Sequence, residues 1–212
     1  MKRILFCLIL GGILIGSAPV WSQIYGQYQS PMVIKPGQVE GGVYVFFMED
    51  LNASGACAQA RFGFDQHIDW GLKGGIIEAE FNKGKEEVGF FIGGEGKYQL
   101  LDKKNSDLYL SLGSRLTVTK ADNFNSFILS GFALAGDTIL INKKKNTNLL
   151  IYSGLGLDIV NYEKIIEEED EVELEFFVPL GIKYWWGQGF SVAGEITFSK
   201  TTCIGGGINI YF

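Results

Sequence analysis

One histidine, four prolines and three cysteines in 212 residues leave little of the usual equipment for catalysis or metal binding. General-base chemistry near neutral pH draws mostly on histidine, so only His67 is on offer. Zinc needs clustered His and Cys ligands, and one histidine with scattered cysteines has no such spacing. Neither a metal nor any other cofactor is expected. Positive charge is also short: 18 Lys and Arg against 24 Asp and Glu give a net −6, which excludes the basic face of a nucleic-acid binder. Beyond residue 22 no apolar run approaches the roughly 18 residues of a membrane-spanning helix.

Glycine is abundant, at 29 residues, beside 14% aromatic and 47% apolar residues. That is too apolar for a disordered chain, and the glycines follow no G-x-y period. Residues 1–22 read as a secretory signal peptide: Lys2 and Arg3 precede an apolar run from Ile4 to Ile15, and Val20 and Ser22 flank a cleavage site before Gln23. The run is short for an uncleaved anchor. Residues 23–38 then read as a periplasmic lead, and 39–212 as one domain.

That domain alternates with a period of two. Val88, Phe90, Ile92, Tyr98 and Leu100 share one face, opposed by Glu95, Lys97 and Gln99. Val172, Leu174, Phe176, Leu180, Ile182 and Tyr184 oppose Glu173, Glu175 and Lys183 in the same way. Such runs are strands with unlike faces. Ten are legible, at about 39–49, 56–64, 69–81, 87–101, 107–120, 125–140, 148–161, 172–185, 189–199 and 202–212, with eight as the smaller alternative. Most could cross a membrane as tilted strands. The links at 65–68, 102–106, 141–147 and 186–188 fall on one side, while 50–55 and a longer acidic link, 162–171, fall on the other. Pro179 lacks a ladder donor, so an irregularity is expected there.

The polar face carries Arg61, Lys73, Lys97, Arg115 and Lys183 against Glu95, Asp158, Glu173, Glu175 and Glu195. On a soluble lipocalin-like barrel these would point to solvent. Trp70, Tyr98, Trp185 and Phe212, however, gather near the strand ends with the short turns, as an interfacial girdle requires. Strands in lipid must also close to leave no edge unpaired. The expected fold is therefore all-β: a closed antiparallel up-and-down transmembrane β-barrel with the charges inside.

The last residues, with Gly207, Ile208, Ile210, Tyr211 and a terminal Phe212, resemble the closing strand of small bacterial outer-membrane β-barrel proteins. The resemblance implies Sec-type export, residence in the outer membrane among its lipids, and a closing strand read by the barrel-assembly machinery. It implies no particular activity, ligand or partner.

Chemical motifs are weak. His67 sits in a short link and reads as a solvated turn residue. Gly93-Gly94-Glu95-Gly96 and Gly154-Leu155-Gly156 lie within strands and match no nucleotide fingerprint. The stretch from Glu167 to Glu171 could gather divalent cations but reads as a solvated loop. Glu173 and Glu175 share a face, as a glycosidase pair would, yet neighbouring carboxylates in a charged lumen explain them. The expected function is a non-enzymatic barrel with a side-chain-filled polar lumen, structural or surface-interacting. A narrow channel or binding tube is the alternative, and an outer-membrane enzyme ranks third. Within the lumen, Arg115 is expected diagonally across from Glu95. Cys57 and Cys203 are expected two strands apart, too far for an easy disulfide.

Overall fold

The computed structural model describes residues 29–212 apart from 50–51, 83–84, 123, 143–146, 165–168 and 188. The signal-peptide reading of residues 1–22 lies outside the described residues. Ten strands follow one another: β1 Val39–Met48, β2 Ala53–Gly63, β3 Ile68–Asn82, β4 Lys85–Leu101, β5 Tyr109–Lys120, β6 Phe124–Asn142, β7 Thr147–Lys164, β8 Glu169–Trp185, β9 Phe190–Phe198 and β10 Cys203–Tyr211. Each pairs with its successor, and β10 pairs antiparallel with β1 to close the barrel.

The alternation is inverted relative to a soluble barrel. On β4, Phe90, Ile92, Tyr98 and Leu100 are exposed, while Phe91, Glu95, Lys97 and Gln99 are buried. On β8, Val172, Leu174, Phe176 and Ile182 point outward, and Glu175, Phe177 and Lys183 point inward. Aliphatic and aromatic side chains left bare around a charged interior suit only an apolar solvent. The barrel is therefore a transmembrane one, and the lipocalin-like alternative is set aside.

Four connections, 64–67, 102–108, 143–146 and 186–189, lie on the rim that carries both ends of the barrel domain. Trp70, Tyr98 and Phe212 are exposed near that rim, beside Phe64 and Trp186. Trp185 departs from the expected girdle. It shares its parity with inward Lys183, and its indole N–H donates to the Tyr211 hydroxyl at 2.9 Å. Trp186, one residue on, takes the outward position instead.

One further expectation changes. The acidic link proves mostly strand, because β7 runs to Lys164 and β8 starts at Glu169. Backbone pairing continues through polar residues, since charged side chains at a rim stay hydrated. Glu167 and Glu168 lie outside the described residues. At Pro179 the expected irregularity is an interruption without a register shift: the β7–β8 ladder breaks off at Ser153↔Leu180 and resumes at Gly156↔Phe177 in unchanged register. The actual register shifts, at Glu80/Asn82, Gln99/Leu101 and Leu140/Asn142, all fall beside turns.

Candidate functional site

The inward face of the strands builds the site, and glycine shapes it. Five of the aromatic side chains buried inside each rest on a glycine directly opposite on the neighbouring strand. The pairs are Tyr44↔Gly207, Phe46↔Gly55, Phe132↔Gly113, Phe177↔Gly156 and Tyr152↔Gly181. A Cβ on any of these glycines would run into the facing ring. The missing side chain lets the ring lie against the partner backbone and extend across the lumen. This pattern accounts for part of the glycine excess.

Among the described residues, the charged side chains buried inside are Arg61, Lys73, Lys97, Arg115 and Lys183 with Glu40, Asp69, Glu95, Asp158, Glu175 and Glu195. Nine of the ten charged residues read from the polar face are thus in the interior. The tenth, Glu173, is half-buried at the far rim, where it accepts from Lys200 at 2.7 Å. Glu40 and Asp69 were missed, because they stand at the starts of runs whose inward positions are otherwise mostly apolar or glycine.

Those two carboxylates organise the network near the rim of the termini. Arg61 donates to Asp69 at 2.6 Å and lies 3.8 Å from Glu40 and 3.6 Å from Glu95. Lys183 donates to Glu40 at 2.6 Å, with its ammonium 5.6 Å from the Trp185 and Tyr211 ring centres. Gln59 donates to Glu95 at 2.7 Å. Further along, Arg115 sits 3.8 Å from Asp158 and donates to Ser130, while Tyr152 donates to Glu195 at 2.8 Å. Arg115 and Glu95 are directly opposite in the β4–β5 register rather than diagonal. The two strands pair two residues out of the register that mirroring about the turn near Lys104 implies, which keeps each side chain on its face.

The lumen is not polar throughout. Towards the far rim Phe46, Met48, Ile77, Phe91, Ile128 and Val160 form one buried apolar cluster, with Phe46 and Phe91 edge-to-face at 6.2 Å. Strand β1 is apolar on both faces, since Val43, Val45 and Phe47 are exposed while Tyr44, Phe46 and Met48 are buried. Alternation alone conceals such a layer.

At the other mouth the chain supplies its own cover. Residues 29–34, part of the expected lead, lie inside the barrel. Lys97 donates to the Ser30 and Met32 carbonyls at 2.5 and 2.7 Å. The Ile34 N–H donates to Asp69 at 2.8 Å, and the Val33 N–H to Gln99 at 2.9 Å. Pro31 reaches the opposite wall at Gly136. The sequence signal for this return was Lys35-Pro36-Gly37-Gln38, a turn with Gly37 at φ 74° and Gln38 N–H bonded to Lys35 carbonyl.

The remaining sequence candidates lie apart from these networks. His67 is exposed in the 64–67 turn, which Asp65 caps by accepting from the His67 and Ile68 N–H groups. Cys57 and Cys203 are buried and form no disulfide with each other, with Cys57 in mid-strand rather than at a strand start. On the closing strand, Ile208, Ile210 and Phe212 face outward and Gly207 supports Tyr44. Tyr211 instead bonds inward to Trp185 and Ser191.

No protein-family model and no curated protein matches the sequence. Among solved structures, similar barrels include the N-terminal β-barrel domain of Pseudomonas aeruginosa OprF, at 10% identity, 84% of this chain, 98% of that chain and a TM-score of 0.37. The KdgM porin matches at 12% identity over 82% of this chain and 99% of that one, with a TM-score of 0.40. The Acinetobacter baumannii outer membrane protein Omp33 matches at 11% identity over 82% and 98%, with a TM-score of 0.35. At such identity and overlap the likeness does not extend to activity.

Proposed function

We propose that this chain is a small bacterial outer-membrane barrel, non-enzymatic and closed by its own side chains, that acts as a structural or surface-interacting element. The carrying observation is the filled cross-section. Five aromatic rings lie across from glycines, a charge network spans the lower wall, and an apolar cluster occupies the far end. Ten strands enclose a lumen only somewhat wider than the eight-stranded kind that side chains fill. An ion crossing it would have to pass both the network and an apolar layer, where desolvation is costly.

The bare apolar outer face suits outer-membrane lipids. The closing strand, with Ile208, Ile210 and Phe212 outward, suits recognition by the barrel-assembly machinery during insertion, after export directed by residues 1–22. Carboxylates that could have served catalysis are engaged by neighbouring cations: Glu173 and Glu175 both face Lys200, and Asp158 faces Arg115.

Purified full-length protein in planar bilayers is the test. Silent membranes are expected, with currents appearing on substitution of Phe46 and Phe91 together by alanine. Steady single-channel currents from the unaltered protein would instead establish the narrow-channel alternative.

A further inference from the structure

The segment crossing the mouth differs from the wall in how it is held. Its four bonds to the wall use its own backbone: the carbonyls of Ser30 and Met32 on Lys97, and the N–H groups of Val33 and Ile34 on Gln99 and Asp69. Of its side chains, Gln29, Ser30, Pro31 and Ile34 are buried, and the Ser30 hydroxyl turns back to donate to the Met32 carbonyl. No ladder pairs it to a strand. Its link to β1 is the turn at 35–38, whose residues are all exposed and whose Gly37 adopts the left-handed conformation. That turn is itself tied to β2, with the Gly37 N–H donating to the Gly63 carbonyl and the Gly63 N–H donating to the Gln38 carbonyl, so residues 29–34 extend from an anchored turn and dock against three wall side chains.

We propose that residues 29–34 are a lid, docked reversibly in the mouth by main-chain recognition, whose release uncovers Lys97, Asp69 and Gln99 to an extended peptide from outside. Lys97 is the principal latch. Its ammonium spans two lid carbonyls and stands 3.7 Å from Asp69, and Asp69 in turn holds the lid at Ile34. Arg61 stays bonded to Asp69 when the lid leaves, so opening need not dismantle the wall. This mechanism is independent of whether the barrel conducts, because the aromatic and apolar layers lie deeper.

The test uses the full chain in detergent with Ser30→Cys as a probe and the native Cys57 and Cys203 as internal reporters of the wall. Thiols are labelled with a bulky, charged maleimide and located by peptide mass spectrometry. Residue 30 should react slowly in this protein. Lys97→Met, and separately Val33→Pro, which removes one lid N–H and leaves every wall charge in place, should each raise its rate roughly tenfold or more. Cys57 and Cys203 should stay protected. Addition of a synthetic peptide spanning residues 29–38 should restore protection of residues near Lys97 in the opened variants, measured by hydrogen exchange. Three results overturn the proposal: fast labelling of residue 30 without either substitution, unchanged protection in both variants, or labelling of Cys57 and Cys203 together with residue 30. The last would make the segment an inseparable part of the wall. None of these results bears on bilayer silence, so the two readings fail separately.

Discussion

Arg61 shows how much one buried residue can hold. It is fully buried, bonded to Asp69, and faces Glu40 and Glu95 within 4 Å. Removing one partner of a buried ion pair leaves uncompensated charge, at a cost of about 3–5 kcal/mol. Arg61→Ala should therefore lower stability by that order in urea unfolding from detergent. By contrast, Lys103 pairs with Asp137 at the exposed rim, so Lys103→Ala should change stability by less than about 1 kcal/mol. Equal losses would mean that the interior network is as hydrated as the surface.

The glycines divide in the same manner. A Cβ at Gly156 would enter the Phe177 ring, whereas Gly96 and Gly131 have nothing within 4 Å. Gly156→Ala should cost about 1–3 kcal/mol through forced repacking. Gly131→Ala should be neutral or mildly stabilising, because it restricts the unfolded chain without a clash. Heat-induced mobility shifts on gels would separate the two. Which ring each glycine accommodates depends on register, which the glycine count in the sequence does not reveal.

At the scale of the element, the strands were legible because side-chain direction alternates locally and needs no partner. The outward face of β7 offers the sharpest check. Leu155 lies midway along it and is half exposed, while Ile141 is the penultimate residue of β6. Leu155→Arg should destabilise the barrel by about 2–4 kcal/mol in lipid, falling to about 0–1 kcal/mol for Ile141→Arg near the rim. Similar small effects at both sites would remove the assignment of this face to the hydrocarbon. The elements read least well were those whose two faces match. Strand β1 is apolar inside and out, so alternation located the strand but not which of its faces turns inward.

For the whole molecule, an even number of strands puts both ends of the domain on one rim. With that rim in the periplasm, an epitope inserted at 165–168 should be stained on intact cells. One inserted at 102–108 should be stained only after permeabilisation. The opposite pattern would invert the barrel. Loop length does not argue for either orientation, since the connection at 102–108 is the longest and shares the rim of the termini.

The sequence by itself determined the strand number, the closure and the side on which most of the interior charges lie. All three follow from a period of two, which each residue obeys through its own backbone geometry, and from the intolerance of lipid for an open edge. Only the tertiary structure decided which inward groups meet. Lys183 and Glu40 are 143 residues apart and become partners because closing the ring brings β8 and β1 within reach across the lumen. The return of residues 29–34 into the mouth was decided in the same way. Its Pro-Gly turn is local, but its anchors, Lys97, Asp69 and Gln99, come together only when β3 and β4 pair in register.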